Sequence, residues 1–289
     1  MADTILLVFE GETVEGQIFE NIKKIFFSKS DSDTIIKSCF CGDIFQLWDR
    51  VKDDTGLDIV EMLKERLKEM CDSDNSKSKR KKEMYYTEIE DLHRKNVSGV
   101  HLFFDYDAHC RKDIASRQEN HQKALGLLST FNDEFEMGRL WISYPMAEAL
   151  KNCRKNPNGC FSDAPLYIPD NVNYKKFVGN KSDYIDIRKY DASTWRYFTA
   201  VNIQRTFCLV NDAYKTIADY HDIKGWFEGG AIIVKAIHEK QCSKFIVPKN
   251  ATVALSPFPL FLLHYFGEPF FNECKCHEIT KGCSFSCYQ

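Results

Sequence analysis

Residues 4–27 read TILLVFEGETVEGQIFENIKKIFF, and the fold follows from how they are read. TILLVF is a short apolar run rich in β-formers, the pattern of a fully buried strand. EGETVEGQ then supplies polar and glycine punctuation. IFENIKKIFF places Ile18, Phe19, Ile22, Ile25 and Phe26 at helical spacing. The stretch therefore reads strand, loop, helix.

The same alternation continues along the first half. TIIKSCF (34–40) predicts a second strand. DIFQLWDRVKDD predicts a helix with Ile44, Leu47, Trp48 and Val51 on one face, and LDIVEMLKERLKEM (57–70) another with Ile59, Met62, Leu63 and Leu67 in register. GVHLFFDYD (99–107) is the next strand and RQENHQKALGLLSTF the helix after it. GRLWISYPMAEAL (138–150) gives a strand through Leu140–Ser143 and a helix from Ala147. Repeated alternation of this kind predicts an α/β fold, a mostly parallel sheet with helices on both faces.

The turn-rich stretch KNPNGCFSDAP (155–165) is read as a boundary, giving an α/β domain over 1–154 and a second domain over 160–289. That second part reads as mainly helical, from the patterns ASTWRYFTAVNIQRTFCLVNDAYKTIADY and GAIIVKAIHEK. In it Trp195, Tyr197 and Phe198 read as core packing, and His221, His238 and His264 show no metal spacing.

The chain has 289 residues, 44% hydrophobic and 28% charged, with a formal net charge of −3, so any nucleic-acid contact has to come from a local basic patch. MADTILLVFEGE lacks a basic n-region, no apolar stretch reaches transmembrane length, and VALSPFPLFLLHYFG (253–267) reads as buried. The expectation is a cytoplasmic protein without a membrane partner. Most of the twelve cysteines read as small apolar residues, Cys39 and Cys41 among them at strand spacing. The tail ECKCHEITKGCSFSC is denser. It reads first as free thiols near a terminus and second as a structural Zn²⁺ on Cys274, Cys276, Cys283 and Cys287.

Chemistry gathers at the carboxyl ends of parallel strands. The first strand runs into Glu10, with Glu12 just beyond, and Gly11 is read as permitting a tight turn there. The third runs into Asp105 and Asp107, which point the same way because residues two apart in a strand share a face. If these strands are neighbours, Glu10, Asp105 and Asp107 converge on one edge and suit a hard cation such as Mg²⁺, which takes oxygen ligands and leaves positions for water and phosphate. That is the arrangement for cutting or transferring a phosphodiester. A strand-end acid can also be a cap or a solvated loop residue.

LLVFEGETVEGQIF followed by LFFDYDAH resembles the TOPRIM catalytic domain, with its E-G glutamate after the first strand and its D-x-D at a later strand end. The spelling E-G-E-x-x-E is similar to RloB-like and OLD-type nucleases of bacterial anti-phage defence. The resemblance covers roughly residues 1–150. It implies a Rossmann-like TOPRIM sheet and a metal-dependent nuclease that acts as a toxic effector, with Glu10, Asp105 and Asp107 holding Mg²⁺ or Mn²⁺ and Glu12 and Glu15 in support. Two departures stand out. The segment between the motifs, about 57–98, is long, and no G-x-x-x-x-G-K-[ST] occurs. An ATP-driven step then implies a separate ABC-type ATPase partner.

Several residues have two readings. His109 is a general base or an exposed loop histidine. Ser143 ends a strand at the same edge, Glu148 adds a carboxylate or compensates a helix dipole, and Lys151 or Arg139 stabilises charge or is a surface cation. CDSDNSKSKRKKE (71–83) reads as a solvated loop whose Lys77, Lys79, Arg80, Lys81 and Lys82 could also attract phosphate. The competing functions are a TOPRIM-like shell that binds or regulates without catalysis, and a primase-like or other phosphotransfer enzyme. A homo-oligomer is left open.

Overall fold

The structure is a computed structural model that describes residues 3–11, 13–27, 33–53, 56, 58–73, 79–106, 113–153, 173–182, 184–212, 217, 219–228 and 232–274. Its framework is a five-stranded sheet in the order β2-β1-β3-β5-β4. The strands are β1 (Asp3–Phe9), β2 (Asp33–Cys39), β3 (Gly99–Asp105), β4 (Asn132–Asp133) and β5 (Gly138–Ser143). β1 runs parallel to both neighbours, with Phe9 level with Cys39 on one side and Phe103 on the other. β4 pairs antiparallel with β5, so the sheet is mixed but mostly parallel. The α/β expectation holds at that level.

The helices are α1 (Val14–Ile22), α2 (Ile44–Val51), α3 (Ile59–Ser73), α4 (Lys79–Ile89), α5 (Ile114–Thr130), α6 (Tyr174–Lys181), α7 (Ala192–Asn211), α8 (Ile232–Gln241), α9 (Val247–Lys249) and α10 (Pro257–Cys274). None of the described helices is long and apolar enough to cross a membrane.

Two compact units divide the chain: Met1–Phe104 with Gly126–Trp141, and Asp105–Leu125 with Ile142–Gln289. The stretch 155–165 lies outside the described residues.

In the first unit, Leu6, Val8 and Phe9 of β1 and Leu102 and Phe103 of β3 are buried. Phe103 stacks on Phe9 at 5.4 Å and on Trp141 at 6.3 Å. α2 starts where the Asp43 carboxylate accepts from the Phe45 and Gln46 amides at 2.9 Å, and it buries Ile44, Leu47 and Val51. Arg66 of α3 is buried and holds the end of β2: Nε donates to the Phe40 carbonyl at 2.6 Å and a terminal nitrogen to Cys41 O at 3.0 Å.

Two local readings change. Lys79–Lys82 belong to the first turn of α4 rather than to a loop. Tyr85 and Ile89, four apart, bury one stripe against α3 and β2, and the short apolar stripe was hidden by the cations around it. Cys41 does not continue β2. Its φ is +55°, and its thiol turns back to lie 3.2 Å from the Cys39 sulfur.

The second unit is mainly helical. α7 and α10 pack together, and Ile203, Leu263 and Phe271 bury against Ile223. Trp195 and Phe198 are fully buried, as read from the sequence, whereas Tyr197 is half-buried, and Phe198 meets Tyr190 edge-on at 5.2 Å. A single antiparallel bridge joins Tyr144 to Leu255, with both amide-to-carbonyl distances at 2.9 Å.

Candidate functional site

The carboxyl ends of β1 and β3 lie side by side. The Glu10 amide donates to the Phe103 carbonyl at 3.0 Å, continuing the ladder one residue past β1. Glu10 is half-buried there. Asp105, also half-buried, is the last residue of β3, two beyond the residue level with Phe9. Glu15, on the first turn of α1, is buried. A methyl group on Gly11 would lie 3.3 Å from a Glu15 carboxylate oxygen. Gly11 thus leaves space for that carboxylate. Its backbone lies outside the left-handed region, and the chain bends at Glu10. Carboxylates at strand ends, partly removed from water, are oxygen donors of the kind a hard divalent cation takes.

Glu12, Asp107, His109 and Lys77 lie outside the described residues. Ser143 is buried at the end of β5, and its carbonyl accepts from the Tyr106 amide at 2.9 Å. Glu148 is buried in the 3-10 turn Ala147–Lys151, with the Lys175 ammonium 3.7 Å away, and Lys151 is half-buried. Arg139 is a structural cation: its guanidinium lies 2.8 Å from the Glu134 carboxylate, both side chains almost wholly buried. Arg80 and Lys81 are exposed, and Lys79 and Lys82 half-buried, in the first turn of α4. Of the tail cysteines, Cys274 is buried on α10, while Cys276, Cys283 and Cys287 are outside the described residues.

A second cluster includes His238, which the sequence was read as giving no metal spacing. In the second unit, His121 of α5, His238 of α8 and Cys242, where α8 passes into the π-helical turn Cys242–Ile246, hold their ligand atoms within 4.8 Å of one another. His121 Nδ1 is 3.0 Å from His238 Nε2, and the Cys242 sulfur is 3.5 Å from the same Nε2. The other ring nitrogen of His238 meets the Tyr144 hydroxyl at 2.9 Å. His238 and Cys242 are fully buried and His121 half-buried. Burial, and after it the neighbouring His121, lowers the His238 pKa to about 3, so the ring is neutral. Burial also lowers His121 and pushes the Cys242 thiol up to about 12. The only advance signal was H-x-x-x-C at 238–242, one helical turn.

These features define an α/β protein with a mostly parallel mixed sheet, compatible with a Rossmann-like arrangement, and with carboxylates at two neighbouring strand ends. No family model, no curated protein and no solved structure matches the chain.

Proposed function

We propose that this chain is a TOPRIM-like, divalent-cation-dependent nuclease, hydrolysing phosphodiester bonds with Glu10, Asp105 and Asp107 as the central acids. The observation that supports the reading is the parallel pairing of β1 with β3, Phe9 level with Phe103, with Glu10 just past the end of β1 and Asp105 ending β3. The Glu15 carboxylate beside Gly11 supports it by adding a second acid at the end of β1. Glu12 stays in the proposal as a further support. Bound Mg²⁺ or Mn²⁺ would supply charge neutralisation at the scissile phosphate and a more acidic water. The protein's share would be to carry the carboxylates on paired strands, Glu10 one residue past β1 and Asp105 at the end of β3.

Ser143, Lys151, Glu148 and His109 stay in the proposal as supporting residues of lower weight. The cationic turn Lys79–Lys82, with Lys77 before it, is the proposed contact to the nucleic-acid backbone. The resemblance to anti-phage nucleases, with no G-x-x-x-x-G-K-[ST] motif in the sequence, implies that any ATP-driven step would come from a separate ABC-type ATPase.

Incubating the full chain with end-labelled DNA and RNA, with Mn²⁺ and with chelator, tests the reading. Cation-dependent shortening is expected. Extension with added nucleotides would replace the nuclease by a primase-like enzyme, and tight binding without either product would replace it by a binding shell.

A further inference from the structure

We propose that His121, His238 and Cys242 form a binding site for a borderline-soft divalent metal, Zn²⁺ above all, separate from the strand-end acids and independent of the nuclease reading. The ligand chemistry selects the metal. Two imidazoles and a thiolate suit zinc, whereas Mg²⁺ takes oxygen. Two of the three ligand distances fit it. In a tetrahedral zinc site, ligand nitrogens stand about 3.3 Å apart and nitrogen and sulfur about 3.6 Å apart. Here His121 Nδ1 and His238 Nε2 are 3.0 Å apart, and His238 Nε2 and the Cys242 sulfur 3.5 Å. Both contacts need a shift of only a few tenths of an ångström to become two edges of a coordination tetrahedron.

The support around the ligands is what a metal site requires. Tyr144 Oη lies 2.9 Å from His238 Nδ1, so that with Nδ1–H donating to the hydroxyl, Nε2 turns its lone pair to the metal. Tyr144 is itself held by the bridge to Leu255. Its neighbour Tyr106 lies with its hydroxyl 3.9 Å from the Cys242 sulfur. Arg117, one turn before His121, fixes α5 by donating to the Val247 carbonyl at 3.0 and 3.1 Å. The ligands therefore sit on elements already tied together.

Binding balances simply: the Cys242 thiol gives its proton to solvent, the proton between the facing nitrogens passes to His121 Nε2, two neutral imidazoles donate lone pairs from His121 Nδ1 and His238 Nε2, and the site carries one net positive charge. Three protein ligands leave a fourth position for water, on the side where His121 is half-exposed. Without metal, the same three groups make a mere hydrogen-bonded contact, in which two neutral rings share one proton between facing nitrogens.

The test is metal uptake by the full chain after chelation and dialysis, followed with Co²⁺ as a spectroscopic stand-in and with Zn²⁺ by elemental analysis. Tetrahedral Co²⁺ bands with a thiolate charge-transfer component are expected. Cys242→Ser should remove the charge-transfer component and lower Zn²⁺ content by about one equivalent per chain. Cys283→Ser should leave that equivalent in place, which separates this site from any metal on the tail cysteines. Should Cys242→Ser fail to fold, His121→Gln, a change at the half-exposed ligand, must lose the same equivalent. Zn²⁺ should raise the melting temperature of the wild type and not of either variant. A wild-type chain that takes up no metal, or one whose Co²⁺ spectrum and Zn²⁺ content survive both substitutions, overturns the proposal.

Discussion

Glu134 and Arg139 show how much one residue can carry. Their side chains pair at 2.8 Å with almost no exposure, in the turn and strand at the sheet edge. Truncating one partner leaves the other charged and dry. Glu134→Ala should therefore cost about 3–5 kcal/mol in urea unfolding, and Glu134→Leu with Arg139→Leu should recover much of that loss. Gly138 makes a second residue-scale case. Its φ is +117°, and an added methyl would come within 2.7 Å of a Leu102 methyl carbon. Gly138→Ala should lower stability by about 1–3 kcal/mol, measured the same way. At this scale the sequence was legible where one residue's context suffices. Glu10 and Asp105 each end an apolar run, and a strand end is visible locally. His121 and His238 were not legible as a pair, because α5 and α8 meet only through the fold. Arg139 looked like a possible charge stabiliser until its buried partner was seen.

Elements were readable in proportion to the length of their apolar pattern. β1, β2, α2, β3 and α7 follow the periodicities expected of them, and α1 does so through Ile22, after which a π-helical turn over Lys23–Phe27 buries Phe27 and leaves Ile25 and Phe26 half-buried. α4 did not, because Tyr85 and Ile89 are a thin stripe among cations. β4, two residues long, carries no periodicity at all, so the antiparallel edge of the sheet could not be foreseen. α7 offers a direct test of local design. The Asp191 carboxylate accepts from the Thr194 amide at 2.7 Å and the Thr194 hydroxyl at 2.8 Å, and these bonds hold its pKa below the usual aspartate value. Asp191→Ala should cost about 1 kcal/mol at neutral pH, and Asp191→Asn much less. A carboxyl whose folded pKa is depressed stabilises above its unfolded value and loses that contribution as pH falls through the folded one. The gap between wild type and Asp191→Ala should therefore narrow below about pH 4 in urea titrations.

For the whole molecule, the central physical point is the sheet order. Parallel pairing of β1 with β3 brings Glu10 and Asp105, far apart in the sequence, to the ends of neighbouring strands. Alternating strands and helices predicted a mostly parallel sheet, but which strands pair is a long-range choice that no local pattern records. The second unit gathers Asp105–Leu125 with Ile142–Gln289, a grouping that a boundary search along the chain does not reveal because its pieces are discontinuous. The central claim is that the acids at the paired ends of β1 and β3 act together on a cation and a phosphodiester. Single-turnover cleavage of labelled nucleic acid in Mn²⁺, by the wild type, Glu10→Gln and Asp105→Asn, tests it most directly. The expected result is a cation-dependent rate that each substitution lowers at least about 100-fold while circular dichroism and melting temperature stay at wild-type values. Cleavage that persists at the wild-type rate in either folded variant would contradict it.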